Sequence, residues 1–428
     1  MSVHDSQKNK RGVILSWCMY DWAYSAFATT VMATILPIYY SRVAGATLPG
    51  NTATAYWGYT AAAALLITAL LAPIMGAVAD YSGSKKKLLM TFAGIGIFAT
   101  ALLYFVTTGD WLMASIFFIV GNIGFATSEV FYNSLLPEVA GPENIDQVST
   151  KGYALGYLGG GILLGINVLM IEFMSDTMLA TRLSFVTVSI WWAVFTIPII
   201  RNVKEPKAEG NKVKYNNPLS GGFKRLAVTF KELKNYRQLL LFLIAFWIYN
   251  DGIGTIIKMA TIYGAEIGID QTTLIGALLM TQFVGIPFAF AFGRLAKYIG
   301  TKNSIMIGLF VYTIISIGGY FMQTALHFWI LAFLVGTVQG GTQALSRSLF
   351  GSMLPKSKTG EFYGFYGMSS KFAGIIGPLV FAVVTQITGT SRLSILSLIM
   401  FFIIGAFLLN RVDEKEGIRI ALEDNFST

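Results

Sequence analysis

Residues 76–85 read GAVADYSGSK, and residues 293–302 read GRLAKYIGTK. Gly76, Tyr81, Gly83 and Lys85 match Gly293, Tyr298, Gly300 and Lys302 in register, 217 positions apart. Two further stretches recur in the same order. SEVFYNSLLP (residues 128–137) resembles SRSLFGSMLP (346–355), and WCMYDWA (17–23) is echoed by WIYNDGI (247–253). Self-similarity in the same order, at offsets of 217, 218 and 230, makes the chain two like units in tandem.

Composition says what solvent those units meet. Of 428 residues, 54% are hydrophobic and 12% charged, with a mean hydropathy of +0.62. That is about half the usual charged fraction of a soluble domain, and such a chain belongs mostly in hydrocarbon. A membrane-spanning helix needs about 20 apolar residues. Twelve stretches qualify, at 14–40, 54–79, 88–107, 111–136, 151–172, 182–200, 238–263, 273–295, 303–323, 327–354, 366–388 and 392–410. The first is too long for the core of a cleaved signal peptide and lacks its cleavage site.

Charge placement sets the expected orientation. With the N-terminus inside, 25 of the 31 lysines and arginines fall on the inner side, 3 outside and 3 within spans. By the positive-inside rule both termini are expected in the cytoplasm. The same bias accounts for the net charge of +9 without nucleic acid. The expected organisation is an N-terminal six-helix bundle over 1–200, a linker over 201–237 and a C-terminal bundle over 238–428. Within the linker, FKRLAVTFKEL (223–233) puts Phe223, Leu226, Phe230 and Leu233 on one face, a pattern suited to a helix on the inner leaflet or to a solvated linker helix.

Parallel six-helix repeats resemble the architecture of major facilitator transporters. The G-x-x-x-D-x-x-G-x-K pattern of Gly76, Asp80, Gly83 and Lys85 is similar to that superfamily's loop between spans 2 and 3. Tyr81 and Ser84 replace usual basic residues, and in the second copy, with Gly293, Gly300 and Lys302, the acid is replaced by Lys297. The resemblance implies a gating loop. It sharpens on four ordered motifs: YDWAYSAFATTVMATILPIYY (20–40), KGYALGYLGGGILLGINVL (151–169), YNDGIGTI (249–256) and FYGFYGMSSKFAGIIGPLVF (362–381). These resemble the vacuole-effluxer family of autophagy-related vacuolar amino-acid exporters. The implied fold is all-α, with twelve transmembrane helices in two six-helix bundles, the major facilitator fold. The implied function is secondary transport by alternating access, with amino acids as one substrate class. Bacterial plasma membrane is the expected location.

Away from the span ends six charges stand out: Asp21, Glu129, Asp251, Lys258, Arg347 and Lys371. Such residues are costly in lipid and usually face the bundle interior. Asp21 shares a polar stripe with Tyr24, as expected of a cavity-lining first span. Glu129 lies eight residues before Pro137 and Arg347 eight before Pro355, so the repeat puts opposite charges at matching depth. They are expected to form an inner gate, to hold a substrate's two charges, or to be a static pair. Asn133 lies one turn beyond Glu129. Asp251, beside Asn250, falls near mid-membrane in a glycine-interrupted stretch, where a broken helix would offer backbone ligands to a solute or proton. Lys258 and Lys371 are expected to bind or to snorkel, and Lys371 is one partner open to Asp21.

Other chemistries find little support. Cys18 is the only cysteine, and His4 and His327 are the only histidines, so no metal cluster or histidine relay is spelled out. No phosphate-binding G-x-x-x-x-G-K-[ST] loop occurs, so a gradient rather than ATP is the expected energy source. No cofactor or metal is implied. The expected partners are the bilayer and a small polar or zwitterionic solute, with protons as a candidate co-substrate, and the chain is expected to act as a monomer. A lipid-like or sugar solute is the alternative, as is a non-transporting sensor on the same fold.

Overall fold

A computed structural model describes residues 3–48, 52–205, 236–355, 358–388 and 390–427. The linker helix expected at 223–233 lies outside them. Among the described residues the chain is almost wholly helical and contains no strand. The spans are α1 (Val3–Ala26 and its continuation), α2 (Thr52–Ser82), α3 (Lys85–Leu102), α4 (Trp111–Ser134), α5 (Ile145–Phe173) and α6 (Thr177–Asn202). The second unit supplies α7 (Arg237–Glu266), α8 (Gln271–Ile299), α9 (Thr301–Tyr320), α10 (Ala325–Ser352), α11 (Thr359–Thr388) and α12 (Ser391–Ser397, resumed at Ile399–Asn410). A last helix, α13 (Glu414–Ser427), had no counterpart in the sequence reading. Eleven of these helical segments are long and apolar enough to cross a membrane. The remaining span, α1, passes into π-helix at Phe27–Ile35 and Tyr40–Ala44.

Several helices overrun their expected limits on the face that carries the termini. Helix α5 starts at Ile145 rather than 151, and α11 at Thr359 rather than 366. Hydropathy sees only the lipid-immersed part of a helix, whereas backbone hydrogen bonding continues into the polar zone.

Helix packing repeats with the sequence. In the first bundle α1 packs on α5 and α6, α4 on α2 and α3, and in the second α7 packs on α11 and α12, α10 on α8 and α9. The bundles meet along α2 with α11 and α5 with α8. The recurring decapeptide sits at both seams. Gly83 and Gly300 take positive φ values of 60° and 88°, a conformation glycine adopts without strain. At Gly76 a Cβ would strike the backbone of Gly360, and at Gly293 it would strike the Thr150 side chain. The two glycines let one bundle touch the other.

The acid of the motif holds the first seam. Asp80 Oδ1 pairs with Lys85 Nζ at 3.1 Å, with both side chains buried, and Asp80 Oδ2 accepts from the Glu361 N–H at 2.8 Å. Lys85 also donates to Thr359 Oγ1. A carboxylate at the start of α11 is favoured by the helix's unsatisfied N–H groups. At the second seam Lys297 supplies no acid, and Asp146 of α5 takes over. Its carboxylate accepts from Thr301 Oγ1 at the start of α9 (2.7 Å) and from Ser348 Oγ of α10.

Helix α13 braces this seam. Lys302 Nζ donates to the carbonyls of Asn410 (3.3 Å) and Val412 (2.9 Å), and Gly417 packs against Met353. Glu414 is held above its ordinary carboxyl range, first by burial and then by the charge of Asp146. An acid shifted this way costs the fold nothing below the ordinary value near 4.5 and progressively more as pH rises towards the raised one.

Two stability tests follow from the seams. Asp80→Asn leaves Lys85 buried without its counter-ion, a loss of about 3–5 kcal/mol. The double change with Lys85→Met recovers much of it, as read by thermal unfolding of the purified protein. Glu414→Gln raises the melting temperature at neutral pH and leaves it unchanged in acid, where the native side chain is already neutral. A gain of equal size at both pH values would show that packing rather than charge is responsible.

Candidate functional site

Between the bundles lies a cavity of about 1210 Å³. Its wall runs from Asp21 and Tyr153 near mid-span to Ile38, Trp57, Leu169, Leu274 and Phe328 at the face away from the termini. The π-helical part of α1 forms one side through Ala28, Thr29, Met32 and Thr34. There Thr34 Oγ1 donates to the Thr29 carbonyl five residues back, at 2.7 Å, and Thr29 Oγ1 reaches the Gly160 carbonyl at 3.3 Å. Widened turns of this kind are frequent at functional sites. Most of the lining is aliphatic or aromatic. The polar exceptions include Gln282, Gln339, Gln343, Tyr157 and Lys258.

The cavity ends where Arg347 closes it. The Arg347 side chain is 2% exposed, and Asp21 Oδ2 lies 3.3 Å from its NH1. Asp21 Oδ2 also accepts from Tyr132 OH at 2.7 Å. The guanidinium donates further to Ser149 Oγ (2.8 Å), the Ser149 carbonyl (2.7 Å) and Asn133 Oδ1 (3.3 Å). Three rings surround its central carbon, Tyr153 at 4.4 Å, Trp17 at 5.0 Å and Tyr132 at 5.6 Å. A Cβ at Gly152 would collide with Asp21 Oδ2, which explains the glycine at this point of the KGYALG motif. Every one of these partners comes from α1, α4 or α5, while Arg347 is on α10. The network therefore ties the two bundles together on the terminus face.

The pairing expected from sequence differs from the one observed. Arg347 meets Asp21, not Glu129, and Lys371 meets Glu129 at 3.5 Å, not Asp21. Matching depth fixes how far a residue lies along a helix but not which way it points. Glu129 looks from α4 to α11, and Arg347 looks to α1 and α5. The expected break in α7 is also absent. The helix runs unbroken through Gly252 and Gly254, and Gly252 instead admits Phe401 and Phe402 of α12. Of the expected site residues, Asp21, Tyr24 and Lys258 line the cavity, whereas Asn250 and Asp251 do not. Asp251 is buried against Gly377 of α11. Lys258 Nζ lies 3.3 Å from the Gly374 carbonyl.

Several contributors escaped the sequence reading. Ser149 and Asp146 look like ordinary polar residues at a span's start, and the glutamines of α8 and α10 carry no charge to draw notice. Gln339 and Gln343 share one helical face four residues apart, which is the signal that could have found them.

Two helical bundles around a central cavity, closed at one end by a cross-bundle ion pair, define a multi-pass membrane transporter of the major facilitator kind. The chain belongs to the family described as vacuole effluxer Atg22 like, whose family model matches residues 9–422. It is 40% identical to a Bacillus subtilis protein described as an uncharacterized MFS-type transporter, YxiO, with 96% of this chain and 97% of that one covered. It is 23% identical to autophagy-related protein 22-1 of Emericella nidulans, covering 98% and 93%. Among solved structures the proton:xylose symporter XylE superposes with a TM-score of 0.75 at 14% identity, covering 96% of this chain and 97% of XylE. The Escherichia coli fucose:proton symporter FucP superposes with 0.73 at 12% identity, covering 94% and 98%. Both likenesses are of fold.

Loss of the gate is measurable. With Cys18 replaced by Ser, a single cysteine at Thr150, buried against Gly293, reports whether the seam is open. Arg347→Gln is expected to speed maleimide labelling there about tenfold or more, since a broken buried pair loses about 3–5 kcal/mol and tenfold needs only about 1.4. Labelling at the unaltered rate would mean that Arg347 does not hold the face shut.

Proposed function

We propose that this protein is a secondary carrier of the bacterial plasma membrane that moves a small zwitterionic or polar solute, amino acids first, by alternating access. The halves 1–200 and 238–428 rock about the cavity, with both termini in the cytoplasm. The observation that carries the reading is a cavity closed on the terminus face by Asp21 and Arg347 and extending to the other. With that face inside, the conformation is outward-facing, and the solute enters from outside or leaves to it. No ATP site is needed, because a gradient that favours one orientation of the loaded carrier suffices.

The lining supports the substrate class. An apolar wall with a few convergent polar groups is what a site for a small amphipathic molecule needs. Lys258 offers a cation to a carboxylate, Asp21 an anion at the floor to an ammonium, and the glutamines offer amides between. A sugar would leave most of its hydroxyls facing hydrocarbon in such a site. Family membership points the same way through the vacuole effluxers. Protons are the candidate coupling ion.

Counterflow in proteoliposomes tests the proposal. Vesicles loaded with an unlabelled amino acid are expected to accumulate the labelled one in a protein-dependent way. Asp21→Asn and Arg347→Gln are expected to lower the rate about tenfold or more. Exchange of sugars but of no proteinogenic amino acid would sink the substrate assignment.

A further inference from the structure

The repeat itself exposes an unexplained carboxylate. WCMYDWA and WIYNDGI place Asp21 and Asp251 at equivalent points of the first helix of each bundle. Asp21 is satisfied by Arg347 and by Tyr132. The repeat partners of those two residues, 218 positions away, are Glu129 and Phe350. The second bundle's aspartate has thus lost both donors, its cation replaced by an anion and its phenol by a phenyl ring. The structure bears this out. Asp251 is 1% exposed, and among the described residues its Oδ1 has no hydrogen-bond partner, the backbone N–H of Gly377 being the donor that acts on the carboxyl group.

Its surroundings leave a single charge to act on it. Lys258, seven residues on along α7, is the cation that does so. Lys371 of α11 acts on Lys258 and is itself paired with Glu129 of α4. The Ile399–Asn410 part of α12 presents Phe401 and Phe402 and carries no charge, Arg392 lies at the far start of that helix, and Arg347 of α10 is held by Asp21. Space is provided by α11: a Cβ at Gly377 would sit 2.9 Å from Asp251 Oδ1, and one at Gly374 would crowd Lys258 Nζ. Lys258 then ends at the cavity wall, where among the described residues its hydrogen-bond partner is the Gly374 carbonyl 3.3 Å away.

We propose that Asp251 and Lys258 form a linked proton and anion site: the proton sits on Asp251, and the anionic group of the solute sits on Lys258. An ionised carboxylate this buried, with one oxygen unpartnered among the described residues and a single backbone N–H, that of Gly377, acting on it, is costly, whereas the neutral acid is not. While Asp251 is ionised it competes with the solute for the field of Lys258. Once protonated it releases the ammonium to the cavity. By linkage, anion and proton each strengthen the binding of the other by the same factor. The proton moves from water to the carboxylate oxygen and back, so no other reactant is required. The inference deepens the carrier reading and rests on it for the solute, but not for the proton.

Two measurements on the full chain test it. Infrared difference spectra between about pH 8 and about pH 5 record protonated carboxyl groups, and burial favours such a neutral form. A C=O band beside that of Glu414 is expected in the wild type, absent in Asp251→Asn and present in Asp251→Glu. Spectra unchanged in Asp251→Asn overturn the proton site whether or not any solute is carried. The second measurement is calorimetric binding of phenylalanine, 3-phenylpropionate and phenethylamine, one skeleton with both charges, the carboxylate alone or the ammonium alone. The first two are expected to bind about tenfold tighter at about pH 6 than at about pH 8. That dependence is expected to vanish in Asp251→Asn, and binding itself in Lys258→Gln. Preference for phenethylamine, a pH dependence that survives Asp251→Asn, or no binding of 3-phenylpropionate at either pH overturns the linkage. Exchange of other amino acids would still leave the carrier reading standing.

Discussion

A guanidinium cannot shed its charge, so Arg347 must be either hydrated or enclosed by donors' complements. On the terminus face it is enclosed. Asp21, Asn133 and Ser149 accept its N–H groups, and Trp17, Tyr132 and Tyr153 cover its faces, all from the bundle opposite. The close approach of α1 to α5 at Gly152, the seam beside it and the blind end of the cavity all require this cation to be buried here. Burying an ion pair is also nearly neutral in free energy, because desolvation offsets most of the attraction. On the carrier reading proposed above, a contact that opens repeatedly benefits from that balance. Apolar packing of the same area would close more firmly and open less readily.

The apolar character of the remaining wall fits the same logic. Each polar group lining a cavity that is alternately wet and closed must be dehydrated when the bundles come together. Few such groups keep the closed state accessible.

Much of this was legible in the sequence, and the illegible part has a common cause. Spans, orientation bias and repeat are one-dimensional properties: hydropathy, charge count and offset. They placed the helices to within a few turns and brought Asp21, Lys258 and Arg347 to the right region. Pairing is a property of azimuth. Glu129 and Arg347 share a depth and face different helices, and the glycines of YNDGIGTI make room for neighbours rather than breaking α7. At the π-helical turns of Phe27–Ile35 threonine hydroxyls bond to backbone carbonyls, contacts that hydropathy does not register.

The two seams show what the repeat maintains. Asp80 reaches from α2 to the start of α11, and Asp146 reaches from α5 to the start of α9. The carboxylate has changed helices, yet in both places it meets the N-terminus of a helix, where N–H groups lack intrahelical partners. Sequence alignment of the halves registers only that the second copy has Lys297 where an acid is missing. The physical requirement is an anion at a helix start on each side of the gate, and either contacting helix can meet it. The two seams and the Arg347 network lie together on the terminus face, so on the carrier reading proposed above it is these contacts that opening that face must break.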